Sequence, residues 1–152
     1  MTPTVRRMRI EDLPAVTGID KISFSLPWPE SSYRFEVAEN EAARCFVAEA
    51  EDGRIAAMIV SWIIVDEAHI ATFATHPDFR RQGIGSKLLS EALDDARQAG
   101  ARRAFLEVRA SNETAQEMYK RFGFEVAGRR PRYYRDNAED AILMTLERLE
   151  PQ

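Results

Sequence analysis

The run His76-Pro77-Asp78-Phe79-Arg80-Arg81-Gln82-Gly83-Ile84-Gly85-Ser86-Lys87-Leu88-Leu89 constrains this chain most, because it ends a strand and begins a helix within a glycine-containing loop. Upstream, Ala68 to Thr75 is apolar and β-prone. Downstream, Ile84, Leu88, Leu89, Ala92, Leu93 and Ala96 recur at helical spacing up to Gly100, which suits a C-terminal stop. The loop therefore opens a helix. The first turn of a helix carries unsatisfied N–H groups and a partial positive charge, so Arg80-Arg81-Gln82-Gly83-Ile84-Gly85 suits phosphate oxygens held by main-chain donors, with arginine charge added. Glycine at 83 and 85 lets an anion approach the backbone, although an ordinary helix entry carries the same string. The dinucleotide fingerprint G-x-G-x-x-G and the P-loop G-x-x-x-x-G-K-[ST] are both absent, which disfavours nicotinamide chemistry and nucleotide hydrolysis.

From the N-terminus, Thr4 to Arg9 reads as a first strand, followed by Glu11-Asp12 and a helical segment holding Leu13, Val16, Ile19, Ile22 and Phe24. Pro14 falls in its first turn, where proline is tolerated. Ser25-Leu26-Pro27-Trp28-Pro29 breaks that helix, and Ser31 suits the cap of a second running to about Asn40. Phe24 and Trp28, in a proline-stiffened loop, fit either a pocket wall or the core. Cys45 to Ala50 and Ile55 to Val65 form a hairpin across Glu51-Asp52-Gly53-Arg54, because Asp-Gly suits turns with positive φ. Beyond the long helix, Arg103 to Val108 is a short strand, Ser111 or Asn112 caps a helix holding Ala115, Met118, Tyr119 and Phe122, and Gly123 ends it. Strand, helix and strand make a right-handed parallel unit of Ala68–Thr75 and Arg103–Val108, while Phe124 to Tyr134 and Asp140 to Arg148 form a closing antiparallel pair. The expected class is α/β with a mixed, mostly antiparallel sheet of about seven strands and about four helices. In such sheets a ligand site forms at the carboxyl ends of parallel strands, here near Thr75 and Val108.

A chain of 152 residues fits a single domain over residues 1–152, with no repeat or linker in view. Its formal net charge of −4 argues against a non-specific nucleic-acid binder. No apolar run approaches a membrane span, and no apolar segment follows Arg6 and Arg7, so neither a membrane role nor a secretory signal is expected and the cytoplasm is the default. The lone Cys45 reads as a buried strand residue rather than a catalytic thiol. His69 and His76 lack the spacing and company of a zinc site, so no metal is expected. Arg80, Arg81 and Lys87 cluster at the glycine loop, and Arg129, Arg130, Arg132 and Arg135 form a second basic cluster that suits either a solvated strand edge or a function.

The loop resembles the R/Q-x-x-G-x-G/A signature of the GNAT superfamily of N-acetyltransferases. The wider pattern is similar to the protein N-terminal acetyltransferases of the RimI type. It rests on Asp66-Glu67-Ala68-His69, the run from His76 to Gly85, Leu106-Glu107-Val108-Arg109-Ala110-Ser111-Asn112, Tyr119, Gly123-Phe124, Tyr133-Tyr134 and Glu139-Asp140-Ala141, and so covers nearly all of the chain. The resemblance implies that acetyl-CoA is the co-substrate, its pyrophosphate held by Arg80, Arg81, Gln82, Gly83, Ile84, Gly85 and Ser86. It implies that the backbone of Phe73, Ala74 and Thr75 pairs with pantetheine on a strand that splays from its parallel neighbour. Ile70-Ala71-Thr72-Phe73-Ala74-Thr75 stands where an Asn-Ile-Ala-Val-like string is common in the family, which places Thr72 and Thr75 near the acetyl group.

Acyl transfer from a thioester to an amine needs a neutral amine, a polarised carbonyl and a proton for the leaving thiolate. Glu107 is a carboxylate in the apolar string Phe105-Leu106-Glu107-Val108, explained either by an outward pairing with Arg109 or by chemistry. The resemblance makes it the general base, with a water relaying the proton. Tyr119 beside Met118 and Phe122 fits core packing, and the resemblance makes its hydroxyl the acid for the thiolate. Asn112 is a simple cap or a partner for the coenzyme. Leu26, Pro27 and Trp28 with Tyr133 and Tyr134 would bracket the first residues of a peptide. An α-amine near 7.7 to 8.0 is appreciably neutral at cytoplasmic pH, whereas a lysine near 10.4 needs about three more kcal/mol, so the expected partner is a protein or peptide N-terminus, a ribosomal protein with N-terminal alanine among the candidates. The loop Arg135-Asp136-Asn137-Ala138 is shorter than in the bacterial ribosomal-protein enzyme and resembles eukaryotic and archaeal relatives there. The rival readings are a small-molecule amine acetyltransferase and a non-catalytic acyl-CoA-binding module, with the chain a monomer or weak homodimer.

Overall fold

In the computed structural model, which describes residues 2–150, the β-prone stretches form β1 (Thr4–Arg7), β2 (Ala43–Glu49), β3 (Ile55–Ile64), β4 (Glu67–Thr75), β5 (Arg103–Arg109), β6 (Glu125–Arg130) and β7 (Ala141–Leu146). The segments of helical spacing form α1 (Leu13–Ser23), α2 (Glu30–Ala38), α3 (Ile84–Gln98) and α4 (Glu113–Arg121). One seven-stranded sheet runs in the order β1-β2-β3-β4-β5-β7-β6. Every neighbouring pair is antiparallel except β4 with β5, joined through α3. The expected mixed, mostly antiparallel α/β architecture is the one observed.

The parallel junction is short. β4 and β5 pair through three residues each, Glu67 with Arg103, Ala68 with Ala104 and His69 with Phe105. Beyond them β4 stays on β3 as far as the Ala57–Thr75 pair, while β5 stays on β7 as far as Arg109–Ala141. The two strands therefore part after His69, and the gap opens toward Thr75 on one side and Arg109 on the other. Backbone groups lining such a gap need partners from outside the sheet.

Strand alternation sends side chains to two cores. On one face Leu106, Val108, Met144, Tyr119 and Phe124 join Leu88, Leu89 and Leu93 of α3. On the other, Leu13, Val16 and Ile19 of α1 and Tyr33 of α2 pack on Val47, Met58 and Val60. Burying each aliphatic side chain fully contributes roughly 1.5–3 kcal/mol, so these faces fix the helices to the sheet. With Leu106 and Val108 turned to α3 and α4, the same alternation turns Glu107 and Arg109 to the opposite face. There the neighbour is the β6–β7 loop, whose Asp136, Asn137 and Glu139 bond Arg109.

Three local expectations are corrected. Ser31 does not cap α2, which begins at Glu30 with Pro29 at the cap in extended backbone and no side-chain cap bond. The proline ring presets the turn into the helix one residue earlier. The segment from Phe124 to Tyr134 is a strand only for Glu125–Arg130, because Pro131 has no N–H to give and Arg132 is left-handed at φ 49°. Tyr133 and Tyr134 consequently sit in a loop, and β7 starts at Ala141. Ile22, expected on the apolar face of α1, is solvent-exposed on its last turn. Among the described residues, no helix is long and apolar enough to cross a membrane.

Candidate active site

The glycine loop begins where β4 ends. Asp78 donates its N–H to His76 Nδ1 at 3.0 Å and takes Arg54 on its carboxylate at 2.8 Å, and the Arg54 guanidinium lies 4.8 Å from the centroid of the buried Phe79 ring. With that anchor set, Arg81 (φ 62°) and Gly83 (φ 76°) turn the chain through left-handed backbone into α3, which starts at Ile84 with Gly83 at its cap and no side-chain cap bond. The first-turn amides of α3 are thus left to an outside acceptor, and the helix end favours an anion. The two glycines serve different ends. Gly83 supplies the positive φ, whereas a Cβ on Gly85 would stand 2.9 Å from Thr75 Oγ1 and 3.7 Å from Phe73 Cζ. Arg80 donates through Nε to the Thr75 carbonyl at 3.2 Å, and Arg80, Arg81 and Gln82 are exposed beside the helix end, with Ser86 in its first turn. Lys87, expected in this basic cluster, instead donates to the Pro3 carbonyl at 2.9 Å, because its place on the helix turns it toward the start of β1.

The gap between β4 and β5 leads away from this loop. Phe73 lies with its ring 6.4 Å from that of Tyr119, which in turn lies 5.7 Å from Phe124. Burial, reinforced by the nearby Tyr134, pushes the Tyr119 hydroxyl well above its ordinary pKa, so it stays protonated. Ala74 turns into the core beneath α1 and α2. Asn112 accepts the Ala115 N–H at 3.2 Å and so caps α4, and Gln116 of that helix donates to the carbonyls of Arg109 and Ala110 at 3.1 and 3.0 Å. α4 is thereby tied to the end of β5.

Glu107 stands opposite Leu143 of β7, itself opposite Gly128 of β6. Its carboxylate is accessible, with Arg130 Nε 3.8 Å from Oε1 and Tyr133 close enough to feel its charge. The charge of Glu107 raises the Tyr133 pKa, and burial does the same for Tyr134 against the opposing pull of Arg109. The pairing of Glu107 with Arg109 does not form, since Arg109 is committed elsewhere.

Sequence reasoning missed the reach of Arg109. Its guanidinium contacts Asp136 and Asn137 at 3.1 and 3.3 Å, Glu139 at 3.4 Å and the Ser25 hydroxyl at 3.1 Å, and it lies 4.0 Å from the centroid of Tyr134. Burial works against its charge, but Asp136 and Glu139 together outweigh that and raise its pKa. Ser25 also donates directly to Asp136, and Ser111 donates its N–H to Glu139 at 2.6 Å. The signal in the sequence was the acidic string Asp136 to Asp140 opposite a strand arginine. Of the other wall, Leu26 and Pro27 are exposed, whereas the Trp28 ring packs on Tyr33 and Trp62 with centroids 5.2 and 6.5 Å apart. Trp28 donates its N–H to Asp20 at 3.1 Å, and Tyr33 donates its hydroxyl to the same carboxylate at 2.5 Å. Burial pushes the Asp20 pKa up.

Cys45 is buried, and that burial pushes its thiol up to about 12, far from a reactive thiolate. Among the described residues no cluster of three or more His, Cys, Asp or Glu is placed to hold a metal ion. Residues 13–124 match the model of the Acetyltransferase (GNAT) family, a match that ends just before β6 and the loop carrying Tyr133 and Tyr134. A relative from Bacillus subtilis is 42% identical over 140 residues, 92% of each chain. The [ribosomal protein bS18]-alanine N-acetyltransferase of Escherichia coli K12 is 35% identical over 94% of this chain and 96% of its own. The crystal structure of the ribosomal-protein-S18-alanine N-acetyltransferase from Escherichia coli superposes with a TM-score of 0.86 at 34% identity, covering 95% of this chain and 93% of that one.

Proposed function

Because this chain belongs to the GNAT family of acetyltransferases, we propose that it moves the acetyl group of acetyl-CoA to the N-terminal α-amine of a protein. The observation that carries this reading is the parting of β4 from β5 after three residue pairs, with an uncapped helix N-terminus at one end and Glu107 and Tyr119 on its two sides. The coenzyme's pyrophosphate lies on the amides of the loop from Arg80 to Ser86, and its pantetheine arm lies in the gap beside Phe73, Ala74 and Thr75, with Asn112 at the far rim. β4 amides polarise the thioester carbonyl.

The reaction needs few parts. A water held by Glu107 takes a proton from the ammonium, the amine nitrogen attacks the carbonyl carbon, and the carbon–sulfur bond breaks as the tetrahedral intermediate collapses. The electron pair leaves with sulfur, Tyr119 supplies the proton that makes it a thiol, and the second proton shed by the nitrogen as it becomes an amide passes through water to restore the phenol. One carboxylate acting through water suits an α-amine near 7.7 to 8.0 better than a lysine near 10.4. Leu26 and Pro27 on one side and Tyr133 and Tyr134 on the other hold the first residues of the peptide, with Trp28 supporting its wall from within. Relatives that act on the N-terminal alanine of a ribosomal protein make such a protein the first substrate to try.

The test is a panel of peptides with free N-termini, polyamines, free amino acids and aminoglycosides, read by thiol release. Peptide turnover is expected. Turnover of a small amine without any peptide would replace this reading with a small-molecule enzyme, and coenzyme binding without turnover would leave only a binding module.

A further inference from the structure

Among the charged groups near Glu107, Arg109 touches both sides of the surface on which a substrate must lie. It is two residues beyond Glu107 on the same strand face, about 7 Å along β5. From there it bonds Ser25 of the α1–α2 connection and Asp136 and Glu139 of the β6–β7 loop, and its Cζ lies 4.0 Å from the centroid of the Tyr134 ring. Ser25 and Asp136 also meet directly, so the two walls are joined to each other as well as to Arg109. A planar fork with several donors can hold three oxygens at once, which a lysine ammonium on a flexible stem does poorly.

We propose that Arg109 is the positioning residue that fixes the separation of the two substrate walls, and through it the fit of the peptide's first side chain. The inference rests on the reading of Glu107 and the peptide groove given above. It adds that a residue outside the acid–base pair governs which N-termini are accepted. Arg109 takes no part in proton transfer, and both of its terminal nitrogens are committed to the two walls. Its loss should therefore be felt in peptide recognition. Walls that no longer hold a set distance discriminate less between small and bulky first residues, because size selection requires a boundary that does not yield.

The experiment compares wild type with Arg109→Ala, Arg109→Lys, Asp136→Asn and Ser25→Ala on peptides differing only in their first residue, with acetyl-CoA affinity measured by calorimetry. Arg109→Ala should raise the peptide KM about tenfold or more, leave acetyl-CoA affinity within about twofold, and move the ratio of kcat/KM between small and bulky first residues toward one. Arg109→Lys should resemble the alanine variant, because charge without the fork does not rejoin the walls. Should Arg109→Ala fail to fold, Asp136→Asn and Ser25→Ala at the surface carry the same comparison with smaller shifts in the same direction. An Arg109→Lys enzyme with wild-type peptide KM and selectivity would overturn the proposal. So would variants that lose thermal stability while peptide KM and first-residue selectivity stay put. If wild type acetylates no peptide but does acetylate a small amine, the function proposed above falls, and an unchanged KM for that amine in Arg109→Ala then removes this inference as well.

Discussion

Gly85 of α3 lies so close to Thr75 of β4 that a Cβ on the glycine would stand 2.9 Å from the threonine Oγ1. Real Cβ atoms do not come that near, so in Gly85→Ala either the Thr75 side chain turns away or the first turn of α3 lifts off the end of β4, and both disturb the loop. Acetyl-CoA affinity should fall at least tenfold by calorimetry, and Thr75→Ala in the same chain should restore much of it, since the second change removes the colliding oxygen. Gly83→Ala meets open space but must hold φ near 76°, so it should cost about 1 kcal/mol of stability in urea unfolding with no rescue from position 75. Identical behaviour of the two alanine variants would refute the division of labour.

Glu107→Gln should lower turnover of an N-terminal peptide by about 10² to 10⁴-fold near neutral pH, with coenzyme affinity barely changed. The deficit should shrink between about pH 7 and 9, because above its own pKa the α-amine arrives already neutral. A variant with the wild-type rate and pH profile would make Glu107 a structural strand residue.

Tyr119→Phe keeps the ring that packs on Phe73 and Phe124 while deleting the hydroxyl proposed to protonate the thiolate. Burial holds the wild-type hydroxyl protonated throughout the range in which the amine titrates. Turnover should therefore drop without recovery as pH rises to about 9, in contrast to Glu107→Gln. Recovery at high pH would assign the thiolate's proton to solvent.

Asp20 predicts a dependence of stability on pH. Burial raises its folded pKa above the ordinary 3.8, so the native state keeps a proton that the unfolded chain gives up. Stability from this group is full below pH 3.8 and declines as pH rises from there through the folded pKa. Asp20→Asn can still accept from Trp28 and Tyr33 and has no such decline. Its unfolding free energy relative to wild type should increase as pH rises above 3.8, and a difference that stays flat would show that Asp20 titrates normally in the folded state.

The parts of this molecule that were legible in the sequence are those governed by neighbours along the chain. The glycine loop, the Asn112 cap and the seven strands follow from local spacing and turn chemistry. What escaped is governed by partners far off. Ser25 lies 84 residues from Arg109, and Lys87 lies 84 from Pro3, so neither bond has a periodic signal. The inward turn of Trp28 depends on Trp62 of β3, a residue whose position is known only once the sheet is built. The end of β6 has a local signal, because Pro131 lacks an N–H and fixes φ at the point where the edge strand stops.

The parting of β4 and β5 also bears on how the sheet avoids unwanted company. An open strand edge ordinarily recruits another chain, and a sheet cut in its middle has two such edges in place of none. Here they face each other and converge on the pairs from Glu67 to His69, so neither is presented flat to solvent. A folded neighbour is too thick to enter such a wedge, and a stray strand would bring bulky side chains where the walls close to strand spacing, about 4.8 Å. What fits is a slender arm that offers amide groups to both sides. The cleft thus filters its occupants by thickness before any side chain in it is consulted.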